Sequence, residues 1–163
     1  MTFEKDWSLE HKFESEIKNI LADQFITKNI EADLEQATDF AIYTVEPFKV
    51  AVRLRRYDYF PSFNHQFTVR WTRPSGVKTE IHKIRDGQVD YFLYGFINNT
   101  ETQIIQYFIG DLTVFRKTDP EPYRIYPNNP YDSELAVYNL SQFPSNFLIK
   151  FWAEDNTSIQ TTL

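Results

Sequence analysis

The sequence predicts an α/β fold: an αβββαβ core with a mixed central sheet, helices packed on it, and a C-terminal extension. Three observations predict this. Residues 8–26 carry apolar side chains at helical spacing, three successive segments between 39 and 72 alternate with period two, and a helical stretch then separates the third of these from a further strand. The 163 residues, 42% hydrophobic and 25% charged, suffice for one sizeable core. A single domain over 1–163 is expected, with its core in 8–116 and the extension in 117–163.

The elements follow in order. Ser8 or Asp6 is placed to cap the first helix, whose stripe is Leu9, Phe13, Ile17, Ile20, Leu21 and Phe25. Glu16 falls three residues after Phe13 and four before Ile20, on the edge of that stripe. Residues 27–38 are acidic and read as irregular. Strands are expected at 39–44, 49–55 and 65–72, joined by Glu46-Pro47-Phe48 and by the aromatic segment Tyr57 to Asn64. Pro74-Ser75-Gly76 opens a helix over 76–86, with Val77, Ile81 and Ile84 as its stripe and Gly87 as its stop. Strand, helix and strand in succession predict a crossover with some parallel pairing. Strands at 90–96 and 104–109 form a hairpin through Asn98-Asn99-Thr100-Glu101, and a short helix runs from Gly110 to Arg116. Residues 117–131, with four prolines, read as loop or extended cover, 132–140 as a turn or two of helix, and 147–152 as a last strand before a frayed tail.

Strand side chains alternate between faces. One face collects Phe40, Ile42, Val50, Val52, Leu54, Phe67, Val69 and Trp71. The other collects Asp39, Ala41, Tyr43, Ala51, Arg53, Arg55, Gln66, Thr68 and Arg70. The first must pack on helices. The second is polar and Arg-rich, and is the expected working surface.

Composition narrows the chemistry. With no Cys there is no disulfide, zinc thiolate or Cys nucleophile, and with 4 Gly there is no phosphate-cradling glycine loop. His11, His65 and His82 stand apart without metal-ligand spacing, and no G-x-S-x-G elbow occurs. No apolar run reaches the ~20 residues that span a bilayer, and Met1 to Trp7 lacks a basic leader followed by an apolar run, so no membrane partner and a cytoplasmic location are expected. The net charge of −6 is uneven. Residues 1–48 hold 4 Lys/Arg against 11 Asp/Glu (−7), residues 49–86 hold 9 against 3 (+6), and residues 87–163 hold 4 against 9 (−5). A basic middle between acidic ends is a footprint for a polyanion, or else a set of arginines that pair with the acidic ends. Tyr57, Tyr59, Phe60 and Phe63, beside Arg55 and Arg56, either stack bases or plug one end of the core.

The order helix, three strands, helix, strand, with Ala37-Thr38-Asp39, Arg53-Leu54-Arg55, Phe67-Thr68-Val69-Arg70, Ser75-Gly76, Thr79-Glu80, Lys83-Ile84, Asp90-Tyr91 and Tyr94-Gly95-Phe96, resembles PD-(D/E)XK nuclease-like proteins of phage and bacterial kind over about 8–116. The resemblance implies a Mg²⁺-dependent phosphodiesterase site in which Glu16 and Asp39 hold the metal. Arg53 and Gln66 then join them as catalytic residues, and Arg55, Thr68, Arg70 and Lys83 hold phosphate. Where that family carries an acidic-x-Lys element this chain has Arg53-Leu54-Arg55, so the face is better equipped to hold phosphate than metal. The expected partner is nucleic acid. The alternative is a non-catalytic module that recognises nucleic acid, a host protein or a copy of itself.

Overall fold

The computed structural model describes residues 9–36, 48–129 and 133–154. The chain divides into two compact units, Met1–Pro47 and Phe48–Leu163. In the first, a helical turn at 9–12 leads into α1 (Glu14–Gln36). Leu9, Phe13 and Ile17, four residues apart, are buried, as their spacing requires. The helix continues through the stretch expected to be irregular. Residues 14–36 contain neither Gly nor Pro, and Ile26, Ile30 and Leu34 extend the four-residue spacing. The predicted strand at 39–44, with Asp39, lies outside the described residues.

The second unit holds β1 (Val50–Arg55), a 3₁₀ turn (Tyr57–Tyr59), α2 (Phe60–Phe63), β2 (Gln66–Thr72) and α3 (Glu80–Arg85). Then come β3 (Tyr91–Ile97), β4 (Ile104–Asp111), α4 (Leu112–Thr118), β5 (Arg124–Asn129), β6 (Ser133–Asn139) and β7 (Leu148–Ala153). The α/β class holds, with helices on a mixed sheet, but the strands divide between two sheets. A four-stranded sheet runs β1-β3-β4-β7, with β1 parallel to β3 and the other pairs antiparallel. A three-stranded antiparallel sheet runs β2-β6-β5. Among the described residues, the segments 50–55 and 66–72, read as neighbours in one sheet, are therefore edge strands of two.

The C-terminal third accounts for this. The segment 132–140, expected to be helical, is instead the central strand β6, buried from Leu135 to Tyr138 because both its flanks are occupied. A central strand covered on both faces loses the alternation that marks a strand in sequence. The proline-rich cover contains β5, whose Pro127 is tolerated because β5 is an edge. Residues 124–153 are thus part of both sheets rather than an appendage.

The hydrophobic core gathers side chains from both sheets. Parallel pairing sets Ala51, Arg53 and Arg55 level with Phe92, Tyr94 and Phe96 on one face of the four-stranded sheet. Phe67 of β2 meets that face. Its ring centroid lies 5.4–6.2 Å from those of Phe92, Tyr94, Phe108, Tyr138, Phe143 and Phe147. Each aromatic pair adds about 0.5–1.5 kcal/mol beyond the area it buries, so Phe67 is the hub of the core. Gly110 makes room for it: a Cβ there would stand 2.6 Å from Phe147 Cζ. Among the described residues no helix is long and apolar enough to cross a membrane.

Helix α3 closes as its sequence directs. Gly87, at φ 71°, takes the left-handed position after the C-cap Asp86. Its N–H donates to Ile84 O and that of Gln88 to Lys83 O, the paired bonds that end a helix at glycine. The start is later than expected. Residues 74–75 form a turn, 76–79 have no regular secondary structure, and Thr79 caps the helix that begins at Glu80 while its hydroxyl donates to Trp71 O. That bond ties the helix to the end of β2 and fixes where Glu80 points.

Candidate functional site

The even-numbered side chains of β2 point away from the Phe67 core. They meet the odd-numbered side chains of β1 along the seam where the two edge strands approach. Arg55 donates through Nη2 to Thr68 Oγ1 and through Nε to Tyr94 Oη at 3.1 Å. Its guanidinium also lies 5.6 Å from the centroid of the Tyr59 ring. Arg53 Nη2 donates to Glu80 Oε2 at 2.8 Å, and the same oxygen accepts the backbone N–H of Arg70 at 2.9 Å. Glu80 thus satisfies an outward-facing N–H of an edge strand, ties β2 to β1, and fixes the Arg53 fork.

Two clefts open on this seam. The first, about 720 Å³, has Arg55, Gln66, Thr68 and Tyr94 on its strand side. Tyr59 and Phe63 come from the β1–β2 connection, and Tyr123, Arg124, Tyr126 and Pro127 from β5 and its approach. Its mouth carries exposed aromatics: Phe63 is 47% and Tyr123 64% accessible. Gln66 is oriented by a 2.8 Å bond from its Nε2 to Asn139 Oδ1. Burial pushes the Tyr126 hydroxyl above its usual pKa while nearby Arg55 pulls it down, which keeps a neutral hydroxyl donor on the wall. The aromatic connection is anchored from below, since the buried Gln106 donates to Asn64 O. Of the four aromatics read as either base-stacking or core-plugging, the structure divides the roles. Phe60 is buried against Phe96, Tyr57 stacks on Phe60, and Tyr59 and Phe63 face the cleft.

The second cleft, about 390 Å³, is lined by Arg53, Arg70, Arg73, Lys78, Thr79, Glu80 and Lys83, over an apolar floor of Ala51, Ile84 and Val89. Arg53 precedes Arg55 by two residues on β1, and Arg70 follows Thr68 by two on β2. The clefts are therefore neighbours, roughly 7 Å apart along each strand.

The sequence-predicted residues divide accordingly. Arg55, Gln66 and Thr68 line the aromatic cleft, and Arg53, Arg70 and Lys83 the basic one. The polar face is less open than a working surface read from sequence: Thr68 and Arg70 are 8% and 9% accessible. Glu16 is half-buried on α1 in the first unit, and Asp39, the other residue of the expected metal pair, lies outside the described residues. Among the described residues no three His, Asp or Glu side chains are grouped to hold a metal. Glu80, the carboxylate at the seam, is engaged by Arg53 and by the Arg70 N–H. The described donors do not fit a Mg²⁺ site.

Sequence reasoning missed Glu80, Tyr94, Tyr123, Arg124 and Tyr126. Glu80 lies off the Val77, Ile81 and Ile84 stripe of its helix, and the other four become neighbours of Arg55 only through the pairing of β3 with β1 and of β5 with β6. No protein-family model, curated protein or solved structure matches the chain.

Proposed function

We propose that this chain binds single-stranded nucleic acid along the β1–β2 seam, with a base in the aromatic cleft and phosphates against the basic one. The observation that carries this reading is Arg55. It is held by Thr68, Tyr94 and Tyr59 at the edge of a cleft rimmed by exposed aromatics, next to a second cleft rich in Arg and Lys. Stacking a base on an aromatic ring contributes about 1–3 kcal/mol irrespective of sequence, and an arginine fork matches phosphate or base-edge oxygens. Tyr94, Thr68 and Gln66 supply hydroxyl and amide groups for a base edge. Binding rather than hydrolysis is proposed, because the seam supplies cations, rings and hydroxyls while its carboxylate is already engaged.

Fluorescence anisotropy of labelled single strands and duplexes tests this. Single strands are expected to bind more tightly than duplexes, since a base must leave the stack to enter the cleft. The plot of log affinity against log salt should slope at about −3 for about four phosphate contacts. Arg55→Ala should weaken single-strand binding about tenfold or more, as loss of a charged hydrogen-bonding partner does. Undetectable binding at low salt, or binding indifferent to salt and to Arg55, would refute the proposal. Release of shortened strands in Mg²⁺ would instead make the chain a nuclease.

A further inference from the structure

The aromatic cleft is one-sided in its hydrogen-bonding character, and this bears on which base it receives. Its volume of about 720 Å³ is that of a small-molecule site, so size alone does not turn away a purine. The choice falls to the polar side chains of its walls, among them Arg55, Gln66, Thr68, Tyr94, Arg124 and Tyr126, with no Asp or Glu among the described lining residues. Arginine donates and never accepts. Arg55 donates to Thr68 Oγ1 and to Tyr94 Oη, so each hydroxyl oxygen already accepts, and each hydroxyl keeps a proton to give. A hydroxyl that accepts from a cation is polarised and donates more strongly. The two oxygens are 3.4 Å apart, and a bond between them uses one of the protons and leaves the other. On the β5 side, burial favours the neutral form of the Tyr126 hydroxyl, which retains its proton. Gln66 differs from these. Its Nε2 donates to Asn139 Oδ1 at 2.8 Å, which leaves its amide oxygen as an acceptor.

The bases differ in what they present to such a wall. Uracil and thymine carry a carbonyl oxygen on either side of a ring N–H, so acceptors flank their donor. Cytosine and adenine place an exocyclic amine, a donor, where those bases carry a carbonyl, and guanine sets an amine beside its ring N–H. An amine turned toward hydroxyl protons leaves donors on both sides unpaired, and unpaired polar groups inside a cleft cost more than a contact merely not made. From these observations we infer that the aromatic cleft selects a keto-pyrimidine. It receives uracil or thymine, whose carbonyl oxygens accept from the Thr68–Tyr94 pair and from Tyr126 while the ring N–H donates to Gln66 Oε1. The inference rests on the nucleic-acid reading proposed above and names the base which that reading leaves open.

The test compares homo-oligomers of deoxythymidine, deoxyuridine and deoxycytidine, equal in length and backbone charge, by anisotropy at fixed salt. The thymidine and uridine strands are expected to bind about tenfold more tightly than the cytidine strand, the effect of one well-made base-edge pairing. A strand of N3-methylthymidine, which lacks the ring N–H, should fall to the level of the cytidine strand. Tyr126→Phe removes one donor and keeps the ring. It should reduce the thymidine advantage to about threefold or less while binding of the cytidine strand stays within about twofold. Circular dichroism of the variant separates loss of a donor from loss of the fold, and the N3-methyl strand reads the same pairing on unaltered protein. Equal binding of the three natural strands, or tighter binding of the cytidine strand, overturns this inference and leaves the nucleic-acid reading standing. A thymidine advantage unchanged by both N3-methylation and Tyr126→Phe overturns it as well. Absence of binding by every strand overturns the nucleic-acid reading and this inference with it.

Discussion

The two faces of β2 make an instructive comparison. Phe67 and Val69 on one side, and Thr68 and Arg70 on the other, are all less than a tenth accessible. Burial does not tell them apart; their neighbours do. Phe67 is met by six rings, whereas Thr68 meets Arg55 and Tyr94 Oη, and the Arg70 backbone N–H meets Glu80. The first arrangement is apolar contact that any hydrophobic side chain of similar volume would partly reproduce. The second is a set of charge-assisted bonds that hold cationic forks beside two clefts. A strand buried on both sides can thus have one face set in an aromatic core and the other in a polar network beside two clefts.

Substitutions can sharpen that contrast, beginning with the largest effect. Phe67→Ala should cost about 3–5 kcal/mol in chemical denaturation, from lost burial and the cavity left among the surrounding rings. Where the variant remains folded, its affinity for a single strand should stay within about threefold of wild type, because of the six rings around Phe67 only Tyr94 lines a cleft, and Tyr94 keeps its bond to Arg55. Glu80→Ala should cost less, about 1–3 kcal/mol, by leaving the Arg70 N–H and the Arg53 guanidinium without their shared acceptor. It should also change binding, since the Arg53 fork loses its orientation. A Glu80→Ala protein with unaltered affinity would mean that the seam is structural only.

Tyr138 gives the smallest effect and a check on the core side. Its ring stacks with Phe67, and its hydroxyl is buried with no hydrogen-bond partner among the described residues. Burial pushes its pKa from 10 up to about 12. The folded state therefore holds the phenol proton after the unfolded chain has released it. The stability contributed by keeping this phenol neutral is complete below pH 10 and declines as pH rises from 10 to about 12. Tyr138→Phe should be neutral or stabilising by up to ~1 kcal/mol at pH 7, since it removes an unsatisfied hydroxyl. It should also flatten the alkaline limb of stability measured by urea titration across pH. Destabilisation by several kcal/mol would reveal a partner for the hydroxyl.

How much of this was legible in the sequence depended on whether the signal was local. The alternation of Arg53-Leu54-Arg55 and of Gln66 to Arg70 separated a polar from an apolar set, and those polar residues do line the clefts. Gly87 marked the end of α3, and Asn98 to Glu101 marked the β3–β4 hairpin, because a left-handed φ and a tight connection are local requirements. Sheet membership was not local. β2 left its sequence neighbours to pair with β6, 73 residues later in register at Gln66 and Asn139, and β6 read as helical because burial on both faces erased its period. The partners of Arg55 followed from that pairing, so Tyr94, Tyr126 and Arg124 could not be assigned beforehand. Glu80 was hidden for a similar reason: its role is to satisfy a backbone N–H that becomes outward-facing only once β2 is an edge.

The central claim, that a base enters the aromatic cleft, is tested most directly by photo-crosslinking. A single strand carrying a photoreactive base at one end is irradiated with the protein, and the modified peptides are mapped by mass spectrometry. The claim predicts adducts at Tyr59, Phe63, Tyr123 or Tyr126, lost when excess unlabelled strand competes and diminished in Arg55→Ala. Competable adducts confined to residues outside both clefts would contradict it.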